Sequence, residues 1–134
     1  MAPLVTEEKQ RRSVLLVEDD PHVASLVEFR LKRDGLEVTH VCDGELALAE
    51  FAKKPPSLVI MDVMLPYRNG YELLGEMRRR PDWQGVPVIM LTSRSREQDV
   101  THGLAGGAND YITKPFRPAE LMARVHRLLK PNDP

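Results

Sequence analysis

Short apolar runs bounded by polar or turn residues recur along the chain and predict buried β-strands. Three of them, at 14–17 (VLLV), 58–61 (LVIM) and 86–91 (VPVIML), have the largely apolar character of parallel strands buried on both faces. The segments at 37–41 and 111–113 are alternating or mixed in polarity, which predicts strands nearer the sheet edges. The pattern therefore predicts five strands, of which three are central.

Apolar residues at helical spacing separate these strands. Three helices are predicted to begin at residue pairs that favour a helix start, namely Asp20 with Pro21, Asp43 with Gly44 and Asn69 with Gly70. A last helix begins near Pro118, although Arg117 is a poor N-cap. The segment 95–105 has few apolar anchors, and we expect a weakly fastened helix that moves. Five strands alternating with five helices indicate a doubly wound α/β fold with a parallel sheet.

Composition narrows the function classes. The chain has 134 residues, a formal net charge of −1 and one cysteine, which suits one domain whose core needs no disulfide or structural metal. The near-neutral charge excludes the basic excess that attracts nucleic acid or an anionic membrane. Apolar runs are far shorter than the roughly 20 residues that span a bilayer. We expect a cytoplasmic domain with no direct nucleic-acid binding and no membrane insertion.

The two ends of the chain differ from its middle. Residues 1–12 are charged and lack the apolar segment of a secretory signal, so they predict a flexible tail. We expect residues 13–130 to form the folded domain. Residues 131–134 include two prolines, and we expect a tail or a truncated linker there. The domain is either a stand-alone regulator or part of a longer protein, and the sequence leaves that choice open.

Acidic, hydroxyl and ammonium groups stand at the ends of the predicted strands. They are Glu18, Asp19 and Asp20 after the first strand, Asp62 at the end of the third, Thr92 after the fourth and Lys114 after the fifth. In a doubly wound sheet these ends share one edge, where ligands bind. Clustered carboxylates repel one another, and Mg²⁺ or Mn²⁺ relieves that repulsion. Helix capping is the alternative for such acidic residues, and Asp20 before Pro21 fits it.

Asp62 has no helix start beside it, so capping does not explain this carboxylate. A carboxylate beside a divalent cation, a lysine and a hydroxyl can take up a phosphoryl group, because the cation and the ammonium neutralise the phosphoryl oxygens. The predicted product is an aspartyl phosphate on Asp62.

Several motifs, in order and spacing, resemble the receiver domain of two-component response regulators, the CheY-like superfamily. They lie at 14–20 (VLLVEDD), 61–66 (MDVMLP) with Asn69 and Gly70, 91–93 (LTS) and 107–116 (GANDYITKPF). The resemblance covers residues 13–129. It implies a flavodoxin-like fold with strand order 2-1-3-4-5 and five helices.

The resemblance also implies roles for single residues. Asp62 would accept the phosphoryl group, and Asp19 and Asp62 would bind Mg²⁺ directly. Glu18 would act through water, and the backbone carbonyl of Met64 would complete the protein ligands. Lys114 would pair with the phosphate. The peptide bond from Lys114 to Pro115 would be cis, and the cis form costs little before proline.

Thr92 and Tyr111 would form the switch, with Tyr111 moving inward behind the Thr92 hydroxyl. The changed surface would comprise the fourth helix, the fifth strand and the fifth helix (the α4-β5-α5 face of the family), which controls an output domain or a downstream protein. A phosphorylation-dependent homodimer through this face is a further expectation. Asp110, Glu120 and Arg124 match the charges that a related subfamily uses for it, whereas Val100, Ala105 and Asn109 stand where that subfamily has charged residues.

The implied partner is a sensor histidine kinase or a phosphotransfer protein, whose phosphohistidine donates the group. The domain would not be a conventional enzyme but would catalyse its own phosphorylation and dephosphorylation. Met64 and Arg94 stand where family members tune loss of the phosphoryl group. A bulky Met64 and a long Arg94 would shield the acyl phosphate from water and prolong the signal. The alternative for Arg94 is a plain solvated loop residue. Tyr67 and Arg68 replace the small, glycine-led turn often found before Asn69.

Two other functions compete with this interpretation. A haloacid dehalogenase-type phosphatase also forms an aspartyl phosphate on a doubly wound sheet, but it needs a second aspartate where this chain has Met64. A phosphate-independent docking module would not need the acidic, hydroxyl and lysine set that the chain retains.

Three further predictions concern packing. We expect Cys42 to be buried or half-buried and Trp83 to anchor a loop. We expect a solvated helix end at Arg78, Arg79 and Arg80. Their positive charges would interact favourably with the helix dipole there.

Overall fold

The computed structural model describes residues 12–93 and 107–129. Within these ranges the chain forms five strands and four helices. The strands are β1 (Ser13–Val17), β2 (Glu37–Val41), β3 (Leu58–Asp62), β4 (Val88–Thr92) and β5 (Asp110–Thr113). The helices are α1 (Pro21–Arg33), α2 (Gly44–Glu50), α3 (Gly70–Arg79) and α4 (Pro118–Leu128).

All five strands are parallel and lie in the order β2-β1-β3-β4-β5. This confirms the predicted doubly wound sheet and its 2-1-3-4-5 order. The fourth strand begins at Val88, two residues later than the apolar run suggested. The helix predicted over 95–105 lies outside the described residues, and so do nearly all of the predicted N-terminal tail and the C-terminal tail.

Two apolar layers cover the sheet. On one face α2 and α3 pack over a cluster that includes Ala47, Phe51, Leu73, Leu74, Met77, Met61 and Met90. On the other face α1 and α4 pack over Ala24, Val27, Leu31, Leu121, Val125, Leu16, Ile60 and Leu91. Alternate residues of β3 and β4 enter opposite clusters, as the strand periodicity requires. Strands β3 and β4 are therefore buried on both sides.

The helix starts follow the sequence signals. The Asp20 side chain accepts hydrogen bonds from the backbone N–H groups of His22 and Val23, which confirms it as the cap of α1. Asn69 and Glu72 form a reciprocal capping box at the start of α3. Arg117 makes no side-chain cap bond, as expected of a poor N-cap.

The arginines at the end of α3 do not form the solvated triplet that the sequence predicted. Arg79 is exposed, but Arg78 is half-buried and donates to the backbone carbonyls of Gln84 (2.8 Å), Val86 (2.9 Å) and Gly107. The loops before β4 and before β5 bring these carbonyls to the guanidinium. Arg80 is half-buried too and donates to the carbonyl of Phe51 at 3.3 Å. The prediction was wrong for Arg78 and Arg80 because it considered the helix alone.

Trp83 does anchor the segment after α3. It is buried, its indole N–H donates to the carbonyl of Lys53, and its ring meets Phe51 edge-on at 4.9 Å between centroids. Cys42 is exposed, which corrects the expectation of a buried thiol. It follows β2, which is an edge strand of the sheet formed by the described residues. Of the helices described, none has the length and apolar character needed to cross a membrane.

Candidate functional site

Three carboxylates meet at the carboxyl edge of the sheet. Glu18 follows β1, Asp62 ends β3, and the pairing of Val17 with Met61 places these two at the same level. Together with Asp19 they offer oxygens that all lie within 4.8 Å of one another. Glu18 and Asp62 are buried, whereas Asp19 is exposed. The sequence prediction of an acidic cluster at this edge is confirmed.

Lys114 joins this cluster from β5. Its ammonium lies 2.7 Å from Asp62 Oδ2 and 2.8 Å from Glu18 Oε1. Only the contact with Asp62 has the angles of a hydrogen bond. The backbone N–H of Lys114 donates to the carbonyl of Thr92, and the bond from Lys114 to Pro115 is cis, as expected. Lys114 is thus held over the two buried carboxylates.

Burial and charge act in opposite directions in this pocket. Burial raises the pKa of Glu18 above its usual range, against the lowering effect of Lys114 and of the Asp20 backbone N–H. Burial acts to lower the pKa of Lys114, but its close contacts and charge interactions with Asp62 and Glu18 outweigh that effect and raise the pKa. The ammonium therefore stays charged near neutral pH.

The donor set fits a hard divalent cation. All three side chains offer carboxylate oxygens, which Mg²⁺ prefers. Glu18 Oε1 is buried and ion-paired with the Lys114 ammonium, whereas Oε2 accepts from the N–H of Asp20 at 3.0 Å. Asp62 Oδ1 accepts from the N–H of Met64 at 3.1 Å. A divalent cation would offset the repulsion between the carboxylates.

Thr92 and Tyr111 lie on one face of the sheet. Thr92 ends β4 and is 5% exposed. Tyr111 is paired with Met90, two residues before Thr92, so the pleat directs both side chains to the same side. Tyr111 is half-buried, and its hydroxyl lies 2.6 Å from that of Tyr71. No sequence signal indicated Tyr71, because its contact joins a helix to a strand 40 positions away.

The loop between β3 and α3 is packed tightly against the site. A Cβ at Gly70 would lie 2.5 Å from the carbonyl oxygen of Asp62, and the Gly70 N–H donates to the carbonyl of Val63 at 2.8 Å. Tyr67 is 80% exposed and has φ 72°, a left-handed conformation that favours glycine. Arg68 pairs with Glu45 at 3.0 Å. The two residues that depart from the usual turn thus still form a tight one.

Comparison with known proteins assigns the family. A family model described as the response regulator receiver domain matches residues 14–126. The chain belongs to this family. The sensory transduction protein RegX3 of Mycobacterium tuberculosis is 43% identical over 118 residues, which are 88% of this chain and 51% of RegX3. The receiver domain thus spans about half the length of the curated relatives it matches.

Solved structures of receiver domains have the same architecture. The chemotaxis response regulator CheY4 of Vibrio cholerae is 31% identical, with a TM-score of 0.84 over 89% of this chain and 99% of that one. The receiver domain of a sensor histidine kinase from Pseudomonas aeruginosa is 34% identical, with a TM-score of 0.82 over 90% and 99%. Its structure has a magnesium ion coordinated in the active site cleft.

Two further residues, Met64 and His40, lie beside the site of this receiver domain. Arg94 lies outside the described residues. The Met64 side chain is 69% exposed beside Asp62. His40, which the sequence did not single out, contacts the backbone carbonyl of Glu18 through Nε2 at 2.8 Å. This contact ties the turn after β1 to strand β2.

The charges near β5 are paired within the chain. Asp110 is buried and accepts hydrogen bonds from Arg124 and from Arg127, the latter at 2.6 Å. Arg124 also pairs with Glu120 at 3.3 Å. Asp110, Glu120 and Arg124, which match a dimer pattern by sequence, therefore join β5 to α4 within one receiver domain.

Proposed function

We propose that this receiver domain accepts a phosphoryl group on Asp62. The observation that carries the proposal is the contact of 2.7 Å between the Lys114 ammonium and Asp62 Oδ2, beside the carboxylates of Glu18 and Asp19. Asp62 is 5% exposed and ends β3 at the carboxyl edge of the sheet, where charged groups surround it. Lys114 would neutralise charge on the incoming phosphoryl oxygens.

The phosphoryl donor is the phosphohistidine of a sensor histidine kinase or a phosphotransfer protein. A carboxylate oxygen of Asp62 attacks phosphorus, and a P–O bond forms as the P–N bond to the imidazole breaks. The electron pair of that bond stays on the imidazole nitrogen, which takes a proton from solvent. Through the same pocket the domain catalyses its own phosphorylation and the later hydrolysis of the acyl phosphate.

Glu18, Asp19 and Asp62, with the backbone carbonyl of Met64, would hold Mg²⁺; Mn²⁺ shares the same preference for oxygen ligands. When bound, the cation supplies positive charge that neutralises phosphoryl oxygens. The three carboxylate groups, whose oxygens lie within 4.8 Å of one another, support this assignment, and so does the magnesium ion reported in the related domain from Pseudomonas aeruginosa.

Phosphorylation would act through Thr92 and Tyr111, which share one sheet face. The surface that changes includes β5, α4 and the segment 95–105, and it would control an output domain or a downstream protein. A phosphorylation-dependent homodimer through this surface would require Asp110 to exchange the arginines that hold it within the chain. Met64, which is exposed, would limit the access of water to the acyl phosphate, and Arg94 would do the same.

We also propose which residues form the functional unit and where in the cell it acts. Residues 13–130 are the functional unit, with residues 1–12 before it and residues 131–134 after it. The phosphohistidine donor is formed with cellular ATP. We therefore expect this unit to act in the cytoplasm. A phosphate-independent docking module is the second candidate, but the paired lysine and three carboxylates of the site give such a module no advantage.

Intact-mass measurement tests the function. The full chain is incubated with acetyl phosphate and Mg²⁺, and we expect a gain of one phosphoryl group that EDTA prevents and Asp62→Asn abolishes. Asp20→Asn is the matched control, because asparagine caps a helix as well as aspartate does, and it should still gain the group. A folded wild-type protein that gains no phosphoryl group from several donors would favour the docking module.

A further inference from the structure

The hydroxyl groups of Tyr71 and Tyr111 form a short contact of 2.6 Å between helix α3 and strand β5. This distance is near the short end of the range for O–H···O hydrogen bonds. Both residues are half-buried and pack against the apolar cluster between the sheet and α2 and α3. The bond therefore lies in surroundings that strengthen it relative to a bond in open water.

Tyr71 is fixed to the loop that carries the proposed phospho-acceptor. It directly follows Gly70, whose N–H donates to the carbonyl of Val63 at 2.8 Å and whose backbone has no space for a Cβ beside the Asp62 carbonyl. The capping box formed by Asn69 holds the same turn. The backbone at the start of α3, from which the Tyr71 side chain extends, is therefore fixed beside Asp62.

Tyr111 lies on the side of the sheet that Thr92 faces. Tyr111 pairs with Met90 and Thr113 pairs with Thr92, so Tyr111 and Thr92 are offset by one residue pair along the same face. Its hydroxyl meets that of Tyr71, which lies on α3. This contact links the Tyr111 side chain to α3.

We propose that Tyr71 is a positioning residue for Tyr111 and that their hydroxyl bond favours the half-buried orientation of Tyr111 before any phosphoryl group arrives. This inference rests on the proposed function, which assigns Tyr111 to the switch. A single net hydrogen bond changes a two-state population by about fivefold. Tyr71 therefore sets the population from which phosphorylation moves the switch.

Tyr71→Phe separates this role from packing, because it removes the hydroxyl and leaves the ring. Tyr67→Phe is the matched control, since the Tyr67 ring is 80% exposed. The chain contains only three tyrosines, so the full chain labelled with 3-fluorotyrosine gives three fluorine resonances. Tyr111→Phe assigns the resonance of Tyr111.

In Tyr71→Phe we expect the Tyr111 resonance to move toward its position in the urea-unfolded chain. The nitration of Tyr111 by tetranitromethane, followed by peptide mass spectrometry, should become about fivefold faster. Tyr67→Phe should leave both quantities unchanged, and the melting temperature of Tyr71→Phe should stay close to that of the wild type.

An unchanged Tyr111 resonance and nitration rate in Tyr71→Phe would overturn the inference. A shift of every resonance with a lower melting temperature would also overturn it, because that result indicates a general packing role. Adding acetyl phosphate and Mg²⁺ to the same samples tests the proposed function separately. Absence of a phosphoryl adduct would contradict phospho-acceptance, and the resonance of Tyr111 before addition would still decide the role of Tyr71.

Discussion

Replacing Arg78 by methionine should cost the domain a large part of its stability. The guanidinium donates to the carbonyls of Gln84, Val86 and Gly107, and methionine keeps the apolar stem but can donate to none of them. Gln84 is exposed, so water can replace that bond. The carbonyls of buried Val86 and half-buried Gly107 lose their donor. At about 1–2 kcal/mol for each such group, the free energy of unfolding should fall by about 2–4 kcal/mol.

The matched control lies next in the chain. Arg79 is exposed and pairs only with Glu76 at 2.7 Å among the contacts of the described residues, so Arg79→Met should cost less than about 0.5 kcal/mol. Arg78→Lys keeps the charge without the planar fork and should fall between the two. Urea unfolding followed by the fluorescence of buried Trp83, the single tryptophan, measures all three variants. If Arg78→Met and Arg79→Met unfold at the same urea concentration, the reasoning is refuted.

Three further changes test the site. Gly70→Ala should destabilise the domain by about 1–3 kcal/mol and slow phosphorylation of Asp62, because its Cβ would meet the Asp62 carbonyl; Gly75→Ala, with open space around it, should stabilise by about 1 kcal/mol. Tyr67→Gly should be about 1 kcal/mol more stable than Tyr67→Ala, because φ is positive there. Mg²⁺ should raise the wild-type melting temperature, and Asp19→Asn should remove most of that rise.

Each of these expectations has a contradicting result. Equal effects of alanine at Gly70 and Gly75 in urea unfolding would mean that the close approach to Asp62 does not constrain the turn. A Tyr67→Ala variant as stable as Tyr67→Gly would mean that the loop relaxes out of its left-handed conformation. A melting temperature that rises equally with Mg²⁺ in wild type and Asp19→Asn would place the cation elsewhere.

The sheet and the acidic site could be predicted from the sequence because both depend on local pattern. Apolar runs at 14–17 and 58–61 identify central strands, and parallel strands bring their carboxyl ends to one edge. Glu18 and Asp62 follow or end such a run, and Lys114 follows the mixed segment at 111–113, so their meeting needs no knowledge of side-chain orientation. The observed ion pairs agree with that prediction.

What the sequence did not predict depends on contacts between distant elements. The carbonyls around Arg78 come from two separate loops, and the Tyr71 hydroxyl meets a strand 40 positions away. Neither spacing nor residue type signals such a meeting. Cys42 was misjudged for a related reason, since its exposure follows from the edge position of β2 in the sheet.

The most direct test of the account is to locate the phosphoryl group within the chain. An aspartyl phosphate is an acyl phosphate, which borohydride reduces to homoserine, and peptide mass spectrometry then identifies the modified position. After incubation with acetyl phosphate and Mg²⁺ we predict homoserine at position 62 and unmodified aspartate at Asp19 and Asp20. Homoserine at either of those positions, or none anywhere in a folded and donor-treated protein, would contradict the assignment of Asp62 as the phospho-acceptor.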